Sequence, residues 1–148
     1  MWWKHALLMF FGMIALQVFL MPAVMVADLS HVYFSVNQGW MGAVMGGAMV
    51  LLGGLLMPMP LWAWVLAGLA TLVAIAGFKH QLFVTDREYL HDMIPHHSMA
   101  LVTSKPRLKS SNPEIASLAA RIYKAQTAEI AEMKGYLLAA DWSKMNFD

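Results

Sequence analysis

The sequence predicts an all-α protein: three transmembrane helices followed by a soluble two-helix antiparallel hairpin. Three observations carry that expectation. The 148 residues are 59% hydrophobic and 13% charged, whereas an ordinary soluble domain is about a quarter charged. Between Ala6 and Phe78 the only Asp, Glu, Lys or Arg is Asp28. Every Lys and Arg except Lys4, and every Asp and Glu except Asp28, follows Phe78. The chain therefore divides into a transmembrane domain over 1–78 and a soluble helical hairpin domain over 79–148, and a fully soluble monomer is excluded.

The spans are expected at about 6–26, 40–57 and 61–78. Eighteen residues at 1.5 Å each cover roughly 27 Å, enough for a bilayer core. Trp2, Trp3 and Lys4 precede the first run, Trp40 opens the second, and Trp62 and Trp64 open the third; such residues favour the membrane interface. Pro58-Met59-Pro60 leaves room only for a tight antiparallel turn. The first run is expected to be retained, since it is long for a signal peptide and Val24-Met25-Val26-Ala27 is a poor cleavage site. Lys4 at one end, against Lys79 and Arg87 at the other, does not orient the protein.

Thr85-Asp86-Arg87-Glu88 opens the soluble part as a capping box, and the helix it starts should run to about Thr103. A polar loop over 105–111 leads to Asn112, a second N-cap, with Pro113 at the first helical position. That helix should run to about Ala140. At 100° per residue, Tyr89, Leu90, Met93, Ile94, Ala100 and Leu101 form an apolar face with His97 near its middle. Glu88, Asp92, His96, Met99 and Thr103 point the other way, with His91 at the edge. On the second helix the apolar stripe of Ile115, Leu118, Ile122, Tyr136 and Leu137 contains Gln126, Glu129 and Met133. Pairing the faces sets Met93 and His97 against Gln126, Glu129 and Met133. A buried His and a buried Glu each need a partner: either each other, as a structural pair, or a shared metal ion.

A net charge of +1 excludes a concentrated basic face for nucleic acid, and zero Cys excludes disulfides, thiolate catalysis and Cys-based metal sites. With 14 Met the available soft ligand is thioether, and imidazole with thioether favours copper, particularly Cu(I). Thioethers tolerate oxidising compartments, which fits the periplasm better than the cytosol. No nucleophile–base arrangement or phosphate loop argues for an enzyme. The inner ligand set is Met93, His97, Glu129 and Met133, with Gln126 as support. Asp92, His96 and Met99 form an outward candidate that an oligomer could complete. Glu88-x-x-His91 matches one element of di-iron bundles, which need two such elements and further carboxylates.

The stretch Met93-Ile94-Pro95-His96-His97-Ser98-Met99-Ala100, with Gln126-x-x-Glu129-Ile130-x-x-Met133 downstream, resembles the CopM-like family of domains of unknown function. The resemblance covers roughly residues 80–140. It implies a ferritin-like helical bundle, of which this chain supplies one hairpin, and periplasmic copper binding. It implicates Met93, His96, His97, Gln126, Glu129 and Met133. The three spans resemble a membrane-bound branch of that family.

In the membrane half, Met9, Met13, Met21 and Met25, and separately Met41, Met45 and Met49, recur at multiples of four. They form either a Cu(I) track or flexible packing. Gly42-x-x-x-Gly46 permits close helix approach, within the chain or to another protein. Asp28 and His31 lie in the loop after the first span. The expected function is a membrane-anchored copper-binding protein of the bacterial inner membrane. Its hairpin would face the periplasm for copper storage, buffering or delivery, and its partners would be lipid and either copies of itself or a larger membrane protein. The alternative is an accessory subunit docked on a membrane complex, its His/Met cluster structural or interfacial.

Overall fold

The computed structural model describes residues 2–139, which are helical with no strand. Five long helices follow in order: α1 Trp2–Met25, α2 Val36–Gly54, α3 Leu61–Lys79, α4 Asp86–Ser104 and α5 Pro113–Ala139. A 3₁₀ turn at Lys105–Lys109 joins α4 to α5. The chain folds as two units. The first comprises residues 2–21 and Ser35–Val84; the second comprises Pro22–Phe34 and residues 85–139.

In the first unit α2 is the middle helix, packed on α1 along one side and on α3 along the other. Its glycines make this possible. A Cβ on Gly46 would sit 2.6 Å from the Phe10 carbonyl oxygen, and one on Gly42 would sit 2.8 Å from the Ile14 Cα. Gly47 faces Thr71 of α3, whose hydroxyl donates back to the Ala67 carbonyl at 2.7 Å. The Gly42-x-x-x-Gly46 face is thus occupied within the unit. Met41, Met45 and Met49 are exposed on α2.

Two helices, α1 and α3, are long and apolar enough to cross a membrane. The run at 40–57, expected as the second of three spans, is not among them. Its helix starts earlier, at Val36, and takes in the polar, buried Asn37 and Gln38 together with six glycines, which lower its mean hydropathy. That earlier start comes from a capping box: Ser35 Oγ accepts from the Gln38 N–H at 3.2 Å, and Gln38 Oε1 accepts from the Ser35 N–H at 3.3 Å. Trp40, expected to mark an interface, instead packs on Gly77 and donates to the Leu82 carbonyl at 3.0 Å. Asn37 donates to Gln81 Oε1 at 2.9 Å. Gln81 and Phe83 adopt positive φ of 52° and 63° where the chain leaves α3.

Within α1 a π-helical turn spans Leu16–Leu20, with the Met21 N–H bonded to the Leu16 carbonyl. Pro22 follows at once. Its ring clashes with the carbonyl four residues back and it offers no N–H, so the turn ahead of it widens.

The second unit is a hairpin of α4 and α5 with Pro22–Phe34 laid against it. Thr85 caps α4 by accepting from the Glu88 N–H, and Asn112 caps α5 by accepting from the Glu114 N–H at 2.9 Å. Helix α4 continues through Pro95. Leu90, Ile94, Leu101, Ile130 and Met133 form the core, with Tyr33, Met93, Tyr123 and Leu137 packed against it.

The buried line of α5 differs from the expected stripe. It runs Ala119, Tyr123, Gln126, Ile130, Met133, Leu137, alternating steps of four and three, while Ile115, Leu118 and Tyr136 are exposed. On α4 the line is Leu90, Ile94, His97, Leu101, Ser104, with the same alternation. These are the seam positions of a coiled coil, in which a 3.5-residue repeat keeps one narrow edge facing the partner helix.

Candidate metal centre

His97 occupies a seam position one turn after Met93. Across the seam its Nδ1 lies 3.2 Å from Glu129 Oε2, and Gln126 Nε2 donates to the same carboxylate oxygen at 3.0 Å. The His97 contact is not aligned as a hydrogen bond, so Nδ1 is a buried nitrogen without a hydrogen-bond partner. Such an atom bears a desolvation cost that no hydrogen bond offsets. Met133 is buried in the core, with Met93 packed against it. The structure therefore brings His97 and Glu129 of the expected inner set together, with Gln126 bonded to the carboxylate, and places Met93 and Met133 in the hairpin core.

Glu129 departs from expectation: 48% of its side chain is exposed, against 25% for His97. The seam turns Gln126 and Ile130 inward and leaves Glu129 on the rim. A rim carboxylate remains solvated, so Glu129 does not require a partner as a buried Glu would. Among the described residues no group of three or more His, Cys, Asp or Glu is placed to hold a metal ion. Any ion held at this site must draw on the thioethers.

The outward group separates. His96 is exposed and Met99 half-buried, but Asp92 is buried, contrary to its expected solvent-facing position. The reason is a second covered side of α4. Ser98, with no exposed surface, accepts from the Ala27 N–H at 2.8 Å and pairs with His31 Nδ1 at 2.8 Å. His91 Nδ1 donates to the Phe34 carbonyl at 3.2 Å, and its ring tilts against Tyr33 at 5.0 Å. Lys134 of α5 donates to Ser30 Oγ at 3.0 Å. Glu88 lies in the first turn of α4, its N–H on the Thr85 cap.

Asp28, Leu29 and Ser30 are exposed, while His31 is half-buried against Ser98. Burial, and secondarily the charge of Lys134, hold the His31 imidazole below its ordinary pKa, against the opposing pull of Asp28. Asp28 itself is held below the usual carboxylate range by its bonds to Ser30. Sequence reasoning missed Ser98. The available signal was a small hydroxyl among Pro95, His91 and Leu101 on a helix with too many half-buried positions for one apolar face.

Residues 79–146 match the model of a family described as a domain of unknown function, DUF305. The matched window contains every candidate ligand and excludes almost all of the first unit. An uncharacterized protein of Acanthamoeba polyphaga mimivirus is 39% identical over 67 residues, which is 45% of this chain and 44% of that protein. The chain thus spans less than half the length of this curated relative. No solved structure matches.

Proposed function

We propose that this chain is a membrane-anchored copper-binding protein whose α4/α5 hairpin holds Cu(I) as cargo for storage, buffering or delivery in an oxidising compartment such as the bacterial periplasm. The observation that carries this reading is the buried His97 Nδ1, 3.2 Å from Glu129 Oε2 and without a hydrogen bond. Imidazole and thioether are the donor types that Cu(I) prefers. Met93, His97 and Met133 would hold the ion, Glu129 on the rim would offset its charge, and Gln126 would hold Glu129 in place. Support also comes from the two apolar helices that would anchor the hairpin.

The test is an anaerobic Cu(I) titration of the detergent-purified protein against a chromophoric competitor. His97→Ala and Met133→Leu should each weaken binding at least tenfold, about 1.4 kcal/mol. Met133→Leu conserves volume and removes only the sulfur, so the loss would report ligation rather than unfolding. No competitive binding by the parent, or variants that bind like it, overturns the reading. His97 and Glu129 would then be a structural pair, and the accessory-subunit reading would take precedence.

A further inference from the structure

The first unit contains an apolar groove of about 380 Å³ between α1 and α3, with α2 as its floor. We propose that it seats one acyl chain of a phospholipid with an anionic headgroup. The proposal rests on the membrane-embedded reading of this unit and is independent of copper.

The groove exists because its walls are small where they meet. Gly47 and Val50 line the floor, and Ala63, Ala67 and Ala70 line the α3 side. At one end Trp2 and Trp62 meet edge to face, with ring centroids 5.4 Å apart. Tryptophan at a helix end marks the headgroup level. From there the lining runs along α3 to Ala70, about 12 Å at 1.5 Å per residue, and along α1 to Phe11, about 13 Å.

Half of a roughly 30 Å hydrocarbon core is about 15 Å. The groove therefore extends through one leaflet, inward from the interface. A transmembrane helix of a partner would need a trough across the whole core. An acyl chain of that leaflet enters at the headgroup level and ends near the midplane, as the groove does.

Charge at the mouth selects the headgroup. Lys4 is the only Lys, Arg, Asp or Glu between Trp2 and Ala27, and residues 54–61 at the same end contain none. Its Nζ lies 5.6 Å from the ring of Trp3, which lines the groove. An ammonium beside the mouth, with no acidic residue in the sequence flanking it, favours a net-negative headgroup over a zwitterionic one.

The experiment is native mass spectrometry of the full chain, purified in mild detergent and re-exposed to phosphatidylglycerol or phosphatidylcholine. The parent should retain one phosphatidylglycerol at least tenfold better than phosphatidylcholine. Ala67→Trp, which fills the groove, should abolish retention. Leu72→Trp, on an exposed face of α3 outside the groove, should not. Lys4→Gln should remove the discrimination between headgroups while leaving a chain bound. Circular dichroism establishes that each variant is folded. Retention of no lipid, or equal loss in both Trp variants, overturns the proposal, as does Ala67→Trp dissociating a dimer in place of a lipid. A chain that stays soluble without detergent overturns the membrane reading itself, a distinct failure.

Discussion

At the scale of single residues, the chemistry of this protein depends on what surrounds two histidines. His97 is at a seam position with its Nδ1 buried and unbonded. His31 bonds to a fully buried serine, and burial holds its pKa below the ordinary imidazole value. The second case has a consequence for pH. In the unfolded chain His31 titrates near 6.5, and in the folded chain it titrates lower. The unfolded state therefore binds more protons in the window below 6.5, and stability falls as pH falls through that value. Chemical denaturation of the second unit in detergent, followed from pH 7.5 to 5, should show that slope, and His31→Gln should flatten it. An unchanged slope in the variant would assign the effect to other groups.

At the scale of elements, the α4/α5 seam determines which residues meet. A polar side chain at a seam position fixes register at some cost in stability. His97 is one such side chain, across the seam from Glu129. His97→Leu should therefore leave the hairpin as stable as the parent or more stable, by roughly 1 kcal/mol of added apolar burial, while Cu(I) binding is lost. Denaturation monitored by helical circular dichroism measures the first effect and competitor titration the second. A strongly destabilised variant would mean that the His97–Glu129 contact holds the hairpin together. The glycine seam of α2 acts in the same way in the first unit, where backbone approach at Gly42 and Gly46 replaces side-chain interdigitation.

At the scale of the whole molecule, an apolar unit with two helices able to cross a bilayer is joined to a unit that carries nearly all the charge. The chain is expected to remain in the membrane pellet through alkaline carbonate washing and to be released by mild detergent. Recovery in the aqueous wash would exclude an anchored protein. The division of the chain was largely legible, because a charge-free run of 18 residues has few alternatives to burial in lipid or in protein. The assignment of Pro22–Phe34 was not. Its residues look like a loop, and only their partners Ser98, His91 and Lys134, between 57 and 104 residues away in sequence, reveal that it packs on the hairpin.

By itself, the sequence determined the all-helical class, the caps at Thr85 and Asn112, and the facing of His97 and Glu129 across a hairpin. Each follows from local propensity, or from apolar periodicity on neighbouring segments. Tertiary structure alone decided that Glu129 stands on the rim and that Asp92 and Ser98 are buried. These depend on which of several available faces a helix presents, and on what a distant segment brings to it. A helical wheel at 100° spacing cannot choose between a broad stripe and a narrow seam when small and polar residues populate both. The packing partner makes that choice.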